Sequence, residues 1–284
     1  MKWFLGYTNQ APRYVIMLED TLLSSKSLFQ SLLIACAILP ILYIAAPVAR
    51  LLSGTSLMSV HHILVDPDFQ NSIYVSLESA LTSTLLSLLF GLPTAFILAT
   101  RRVPMSRILE GILLLPVLLP PIVGGIAQFN LYGPYTPIGR LFSIANIGLT
   151  NHFLGIVLAQ TYITSPFLIF AAKAGFSEIP KQLWDVTREL GGGIWDEFWY
   201  VSLPLAKTAI FVGALLTFTR AIGEFGATMI MAYHPYTLPV DLWVQFSSGG
   251  LDQILAMSFV VIVVVFVVIF IASVVQGLLR ERTE

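Results

Sequence analysis

Long runs without charge alternate with short polar islands along this chain, and the runs are long enough to set the architecture. Ser27 to Ala49 is 23 uncharged residues, the length a helix needs to cross a hydrocarbon layer about 30 Å thick. The run from Ile73, with Glu78 near its start, ends at Thr100 against Arg101, Arg102 and Arg107. Gly111 to Gly139, Leu141 to Ala172, Pro204 to Ala232 and Gln253 to Leu279 follow. The pattern predicts an all-α membrane protein with six transmembrane helices, at about 27–49, 73–100, 111–133, 152–175, 204–232 and 253–279. These make one transmembrane domain over 27–279, after a cytoplasmic or interfacial segment 1–26 and before a cytoplasmic tail 280–284. The third run holds Pro116, Pro120, Pro121, Gly124 and Gly125. Non-helical backbone at membrane depth survives only inside protein or beside a watery cavity, so this segment is expected at the protein centre. The stretches 50–72 and 233–252 are expected as outer loops.

One polar island, residues 177–203, has a pattern of its own. Pro180 suits a first helical turn, and Leu183, Val186 and Leu190 recur on one face of the helix it opens. Gly191, Gly192 and Gly193 end that helix with a left-handed cap and a change of direction. Ile194, Phe198 and Val201 then trace a second apolar face, and Pro204 opens the next span. The island is therefore a bent hook of two short helices. Trp184, Trp195, Trp199 and Tyr200 suit either a membrane-interface belt or anchors in a partner's groove. Asp185, Glu189, Asp196 and Glu197 face only Arg188, and an anionic inner leaflet attracts basic helices, which favours the partner.

Composition narrows the class. Of 284 residues 56% are hydrophobic and 11% charged, with a mean hydropathy of +0.83, against roughly 25% charged residues in soluble domains. In a membrane protein the net charge of −1 is uninformative about nucleic acid, and no nucleic-acid partner is assigned. Four histidines and one cysteine, Cys36 in a greasy run, exclude a zinc or disulfide framework. The adjacent His61 and His62 are taken as solvated loop residues, and no metal site is assigned. Twelve of the fifteen Lys and Arg fall in the N-terminal segment, the loop after span two, the hook region and the tail. Both termini and the hook are therefore cytoplasmic.

No phosphate-binding loop of the form G-x-x-x-x-G-K-[ST] and no nucleophile-base arrangement is present, so no catalytic residue is assigned and an energised transporter needs a second chain. Span five alone holds charges deep inside, Arg220 and Glu224. Four residues apart, they face each other on a helix, either as a structural pair or as part of a transport path.

The island's order of residues resembles the cytoplasmic signature loop of permease subunits in bacterial and archaeal ABC importers. That pattern runs acidic, two small residues, three more, Gly, nine more, an aliphatic, any residue, Leu-Pro. Asp185 stands where it usually has Glu, and Val186 and Thr187 where it has two Ala; Gly191, Val201, Leu203 and Pro204 match. Arg220-Ala221-Ile222-Gly223-Glu224-Phe225-Gly226-Ala227-Thr228 resembles the fifth span of oxyanion importers, the molybdate/tungstate branch most closely and sulfate next. The similarity covers about residues 72–279. It implies a type I ABC importer permease fold, pairing with a second copy, and a coupling loop comprising Leu183, Asp185, Val186, Thr187, Leu190, Gly191, Leu203 and Pro204. Two separate ATPase subunits would bind ATP and Mg, so this chain holds no cofactor and is not itself an enzyme. An extracytoplasmic oxyanion-binding protein would deliver the solute through the cell membrane along a weak polar path, for which Gln128, Asn130, Thr217 and Thr219 are candidates. The rival solute is sulfate or thiosulfate. Rival classes are an ion-coupled secondary transporter, with Arg220, Glu224 and Glu78 as its relay, and a membrane-embedded enzyme.

Overall fold

The computed structural model describes residues 11–100, 103–249 and 251–281. Arg101 and Arg102 of the basic cluster, the beginning of the N-terminal segment and the end of the tail lie outside the described residues. Every regular element among those described is helical, and the chain divides into two units, 1–55 and 56–284.

The first unit is helix α1 (Ala11–Gly54), and its stretch Phe29–Gly54 is apolar on all sides. A helix hydrophobic all round has lipid, not water, as its solvent. Of the expected segment 1–26, the described residues from Ala11 onward are continuous with this helix. Pro12 falls in the first turn, where its missing N–H costs nothing, and no glycine interrupts the run before Gly54. Cys36, in the greasy run, is exposed on this helix.

The second unit begins with α2 (Leu57–Val65) and α3 (Pro67–Ala99). Asp66 caps α3 by accepting from the Asp68 N–H at 3.0 Å, with Pro67 at the first helical position. Ser72, Ser76, Ser79, Ser83 and Ser87 form a buried row along α3. Such small side chains let α7 (Phe153–Ser177) approach closely, and the Ser83 hydroxyl reaches the Val157 carbonyl at 3.2 Å. On its other side α7 meets α11 (Lys207–Ile222), where a Cβ on Gly213 would lie 2.8 Å from the Ala171 methyl. The layered core is thus α3, α7 and α11, joined through small residues.

Two expected spans are broken. Residues 111–133 are not one helix but α4 (Ser106–Leu118) and α5 (Pro121–Tyr132), bent by 110°. Leu119, held extended before Pro120, cannot continue the helix, and Pro120 and Pro121 offer no N–H to it. The expectation that this segment lies at the protein centre holds for one face only. Gly125 is pressed against α12 (Gly226–Met231), where a Cβ would sit 2.8 Å from the Ala227 Cα. Ile122, Ile126 and Phe129 on the other face are exposed; the segment most enclosed is α7.

Residues 204–232 are likewise interrupted, since α11 stops at Gly223 and α12 restarts at Gly226. The region expected as an outer loop contains helix α13 (Leu238–Gly249), which shields Val60, Phe69 and Met257 in an outer apolar cluster with Leu238. Asp241 of α13 is buried there, and burial pushes its carboxyl pKa up against hydrogen bonds with Ser72 and Gln245. Helix α14 (Leu251–Glu281) covers the last expected span and takes in the beginning of the tail.

Candidate functional site

Helix α8 (Lys181–Glu189) is the first arm of the hook. Its end is a two-bond left-handed cap: the Gly191 N–H donates to the Arg188 carbonyl and the Gly192 N–H to the Thr187 carbonyl, each at 2.9 Å. Gly191 takes φ +84°, a conformation that disfavours any residue with a Cβ. The second arm, Ile194–Leu205, opens with the Asp196 carboxylate accepting from the Gly193 N–H at 2.7 Å. It comprises α9 (Ile194–Asp196), a π-helical segment Glu197–Ser202 and α10 (Leu203–Leu205).

Two side-chain links close the hook. The Trp184 indole N–H donates to the Ser202 hydroxyl at 3.1 Å in a buried setting. The Arg188 Nε donates to Glu197 Oε1 at 2.9 Å while its Nη1 reaches Asp185 at 3.1 Å. The Glu197 bond raises the Arg188 pKa further, so the guanidinium of this clasp stays charged at any working pH. Phe198 joins the hook to the spans, with its ring 5.2 Å from Phe96 of α3 and 6.4 Å from Phe176 of α7. The hook is thus packed directly on the C-terminal parts of both helices through aromatic rings.

The predicted residues separate cleanly by face. Leu183, Val186 and Leu190 are exposed, with Asp185 beside them, and form an unpartnered aliphatic strip on the first arm. Thr187 bonds its own helix at the Leu183 carbonyl. Leu203 packs inward, and Pro204 lies at the corner where the arm turns into α11. Of the second apolar face, Phe198 and Val201 pack against the buried cluster around Phe96 and Phe176, whereas Ile194 is exposed. Trp184, expected among the outward aromatics, is buried. A groove of about 610 Å³ at the base of the hook, lined by Gly175, Glu178, Pro180, Leu183, Leu205 and Thr208, had no signal in the sequence.

Arg220 and Glu224 do meet, Nη1 to Oε2 at 2.8 Å, with the carboxylate fully buried and the guanidinium partly exposed. The approach to Oε2 is off the hydrogen-bonding direction, so the contact is one of charge. Glu224 Oε1 accepts from the Ala227 N–H at 2.9 Å and thereby caps α12. That second duty was invisible while the span was expected to be continuous.

The four candidate path residues do not converge within one subunit. Gln128 is buried beside a cavity of about 310 Å³, together with Tyr132, Thr161 and Tyr162. Asn130 is exposed, whereas Thr217 is fully buried and donates to the Thr164 carbonyl at 3.3 Å. Thr219 donates to the Leu215 carbonyl of its own helix at 2.9 Å. Glu78 is exposed on α3 while Glu224 is enclosed, so the relay of the rival reading does not assemble. No group of three metal-ligating side chains occurs among the described residues.

The profile of the family described as binding-protein-dependent transport system inner membrane component matches residues 87–284. A probable molybdenum ABC transporter permease protein of Haloferax volcanii is 38% identical over 222 residues, which is 78% of this chain and 81% of the relative. A molybdate/tungstate transport system permease protein of Thermococcus kodakarensis is 33% identical over 213 residues, 74% and 81% of the two chains. Among solved structures, a chain of a bacterial ABC transporter involved in the import of the acidic polysaccharide alginate superposes with a TM-score of 0.65. The match spans 92% of this chain and 98% of that one at 16% identity, a likeness of fold alone.

Proposed function

This chain belongs to the family of binding-protein-dependent transport system inner membrane components, and from that premise we propose that it is the permease subunit of an ABC importer for molybdate or tungstate. It forms the membrane path and carries no ATPase motif; separate subunits bind ATP and Mg. The observation that carries this reading is the hook: an inward-anchored element that leaves Leu183, Val186 and Leu190 exposed among the described residues. A short helix with an exposed aliphatic strip fits a groove on a soluble partner, which here is the ATPase subunit.

The mechanism follows from the linkage. Two copies of the chain each offer one hook, and closure of two ATPase subunits on ATP would draw the hooks together. The Arg188 clasp and the Trp184–Ser202 bond keep the arms from flexing, so the displacement passes through Phe198 to the inner ends of α3 and α7. The path opens toward an extracytoplasmic binding protein, which supplies the oxyanion. Arg220 is held by Glu224 and is not the anion's resting place. Transient contacts with neutral donors such as Gln128 suffice for an ion already selected outside.

The test is uptake into proteoliposomes containing this chain, its ATPase subunit and its binding protein. ATP-dependent accumulation of molybdate or tungstate, undiminished by excess sulfate, is expected. Accumulation of sulfate in preference to either would transfer the assignment to the sulfate branch, and uptake without ATP would point to an ion-coupled carrier.

A further inference from the structure

The two arms of the hook differ in what they leave uncovered. The first shows aliphatic side chains, whereas the second shows aromatic ones: Trp195 is 67% exposed, Trp199 46% and Tyr200 75%. The Trp195 and Trp199 rings lie 5.5 Å apart, and Trp199 also packs on the edge of Phe198 at 5.4 Å. The two indoles of this plate are four residues apart, the spacing that makes neighbours on a helix surface. Trp195 and Trp199 align on one side while Glu197, Phe198, Val201 and Ser202 are turned to the other.

Orientation and depth then say what lies beside the plate. The second arm makes an angle of 77° with α11, so an arm feeding a membrane-crossing helix runs nearly parallel to the bilayer surface. Its level is fixed by three contacts. Ala206, at the corner, packs level with Gly175 near the inner end of α7. Phe198 touches Phe96, which is close to the inner end of α3. Two residues before Gly175, Lys173 pairs with Glu110 at 2.7 Å, marking where charge is tolerated again. The arm is therefore at the headgroup boundary of the cytoplasmic leaflet.

Charge, which from sequence spoke against a lipid contact, no longer does. Glu197 is buried and held by Arg188, Asp185 shares the same guanidinium, Asp196 is engaged at the Gly193 N–H, and the exposed Glu189 belongs to the first arm. What faces outward on this arm is indole and phenol, the groups that favour the membrane-water interface, flanked by the aliphatic Ile194 and Leu205.

We propose that the second arm is a lipid-contacting helix, with Trp195, Trp199 and Tyr200 seated in the interfacial layer of the cytoplasmic leaflet, while the first arm alone docks the soluble partner. The inference rests on the membrane orientation of the hook and not on which oxyanion is carried. With no cationic cluster on that face, the contact is with the interfacial layer itself and does not require anionic lipid.

The test uses the full chain in nanodiscs, wild type against Trp195→Phe/Trp199→Phe, with lipids brominated either high on the acyl chain or near its end. The difference in emission isolates these two of the five tryptophans. More than half of that difference should be lost with the shallow label, less with the deep one, and to the same extent in zwitterionic and anionic discs. A difference emission untouched by either label but shifted when the ATPase subunit is added would overturn the proposal in favour of protein docking. A Tyr200→Cys variant in a Cys36→Ser background gives an independent reading. A polarity-sensitive probe there should emit as in an interfacial environment with and without the ATPase, and disulfide formation between copies would assign the face to the second subunit instead. Should the oxyanion assignment fail, these outcomes are unaffected.

Discussion

Glu224 has two tasks that compete for one carboxylate: it neutralises Arg220 through Oε2 and caps α12 through Oε1. Removing one member of a buried ion pair typically costs about 3–5 kcal/mol, and losing a helix cap about 0.5–2 kcal/mol. Arg220→Met strands a fully buried carboxylate, although partial exposure of the guanidinium side places the cost toward the lower end. Glu224→Ala loses both the counterion and the cap and should be the worst of the series. Arg220→Met/Glu224→Gln removes both charges while the amide oxygen still accepts from Ala227, so it should regain most of the loss. Thermal unfolding in detergent gives the order directly. If the double variant melts no higher than Arg220→Met, the two side chains do not act as a pair. Vesicle uptake separates the roles, because a structural pair predicts that transport recovers with stability. The pair itself was legible from the four-residue spacing. The cap was not, since nothing in the run Thr217–Thr228 announces that the helix restarts; Gly223 and Gly226 are equally compatible with close packing in a straight span.

At the scale of the element, the hook shows how far pattern carries and where it stops. The three glycines, Pro180 and the Leu183, Val186, Leu190 spacing are local signals, and local signals fix a turn and an exposed face. The locks are not local: Trp184 reaches 18 residues to Ser202 and Arg188 reaches nine to Glu197. Which side of the second arm faces in is set by packing of Phe198 on Phe96 and Phe176, distant partners that no periodicity of Ile194, Phe198 and Val201 reveals. Sequence therefore placed the turn and grouped Phe198 and Val201 on one apolar face, but could not say that this face turns inward while Ile194 stays exposed. The turn yields a graded prediction. A Cβ on Gly191 would meet nothing within 4 Å, so only the backbone at φ +84° penalises substitution, by roughly 1 kcal/mol or more. Gly191→Asn, which tolerates this conformation, should couple nearly as wild type, whereas Gly191→Val should insert normally but lose most ATP-driven uptake and ATPase copurification. Gly193 has an ordinary φ and nearly open surroundings, so Gly193→Ala serves as the tolerant control. Equal loss for Asn and Val would mean that bulk, not backbone geometry, matters at this turn.

For the whole molecule, the runs of uncharged residues sufficed for an all-helical membrane architecture, because a bilayer demands length and apolarity before anything else. They could not show that two of the crossings are broken or that α13 forms in the outer region, because proline and glycine mark where a helix can end and not where the chain goes next. Orientation comes from basic residues, and its two parts are separable. The hook's position is set by the second unit, 56–284, whereas the position of the N-terminus depends in addition on α1 crossing the membrane. In a Cys36→Ser background, single cysteines at Asp68, Asn146 and Ser248 should react with an impermeant maleimide added to intact cells, and one at Gln182 only after lysis; all four positions are exposed. Asp241 is unsuitable for such a label because it is buried. An N-terminal epitope should be protected in the same cells. Protection at Ser248 or labelling at Gln182 would invert the whole arrangement, and with it the docking of the hook to an ATPase. An exposed N-terminal epitope with the other four as expected would instead show that α1 does not cross, leaving five crossings and the coupling mechanism in place.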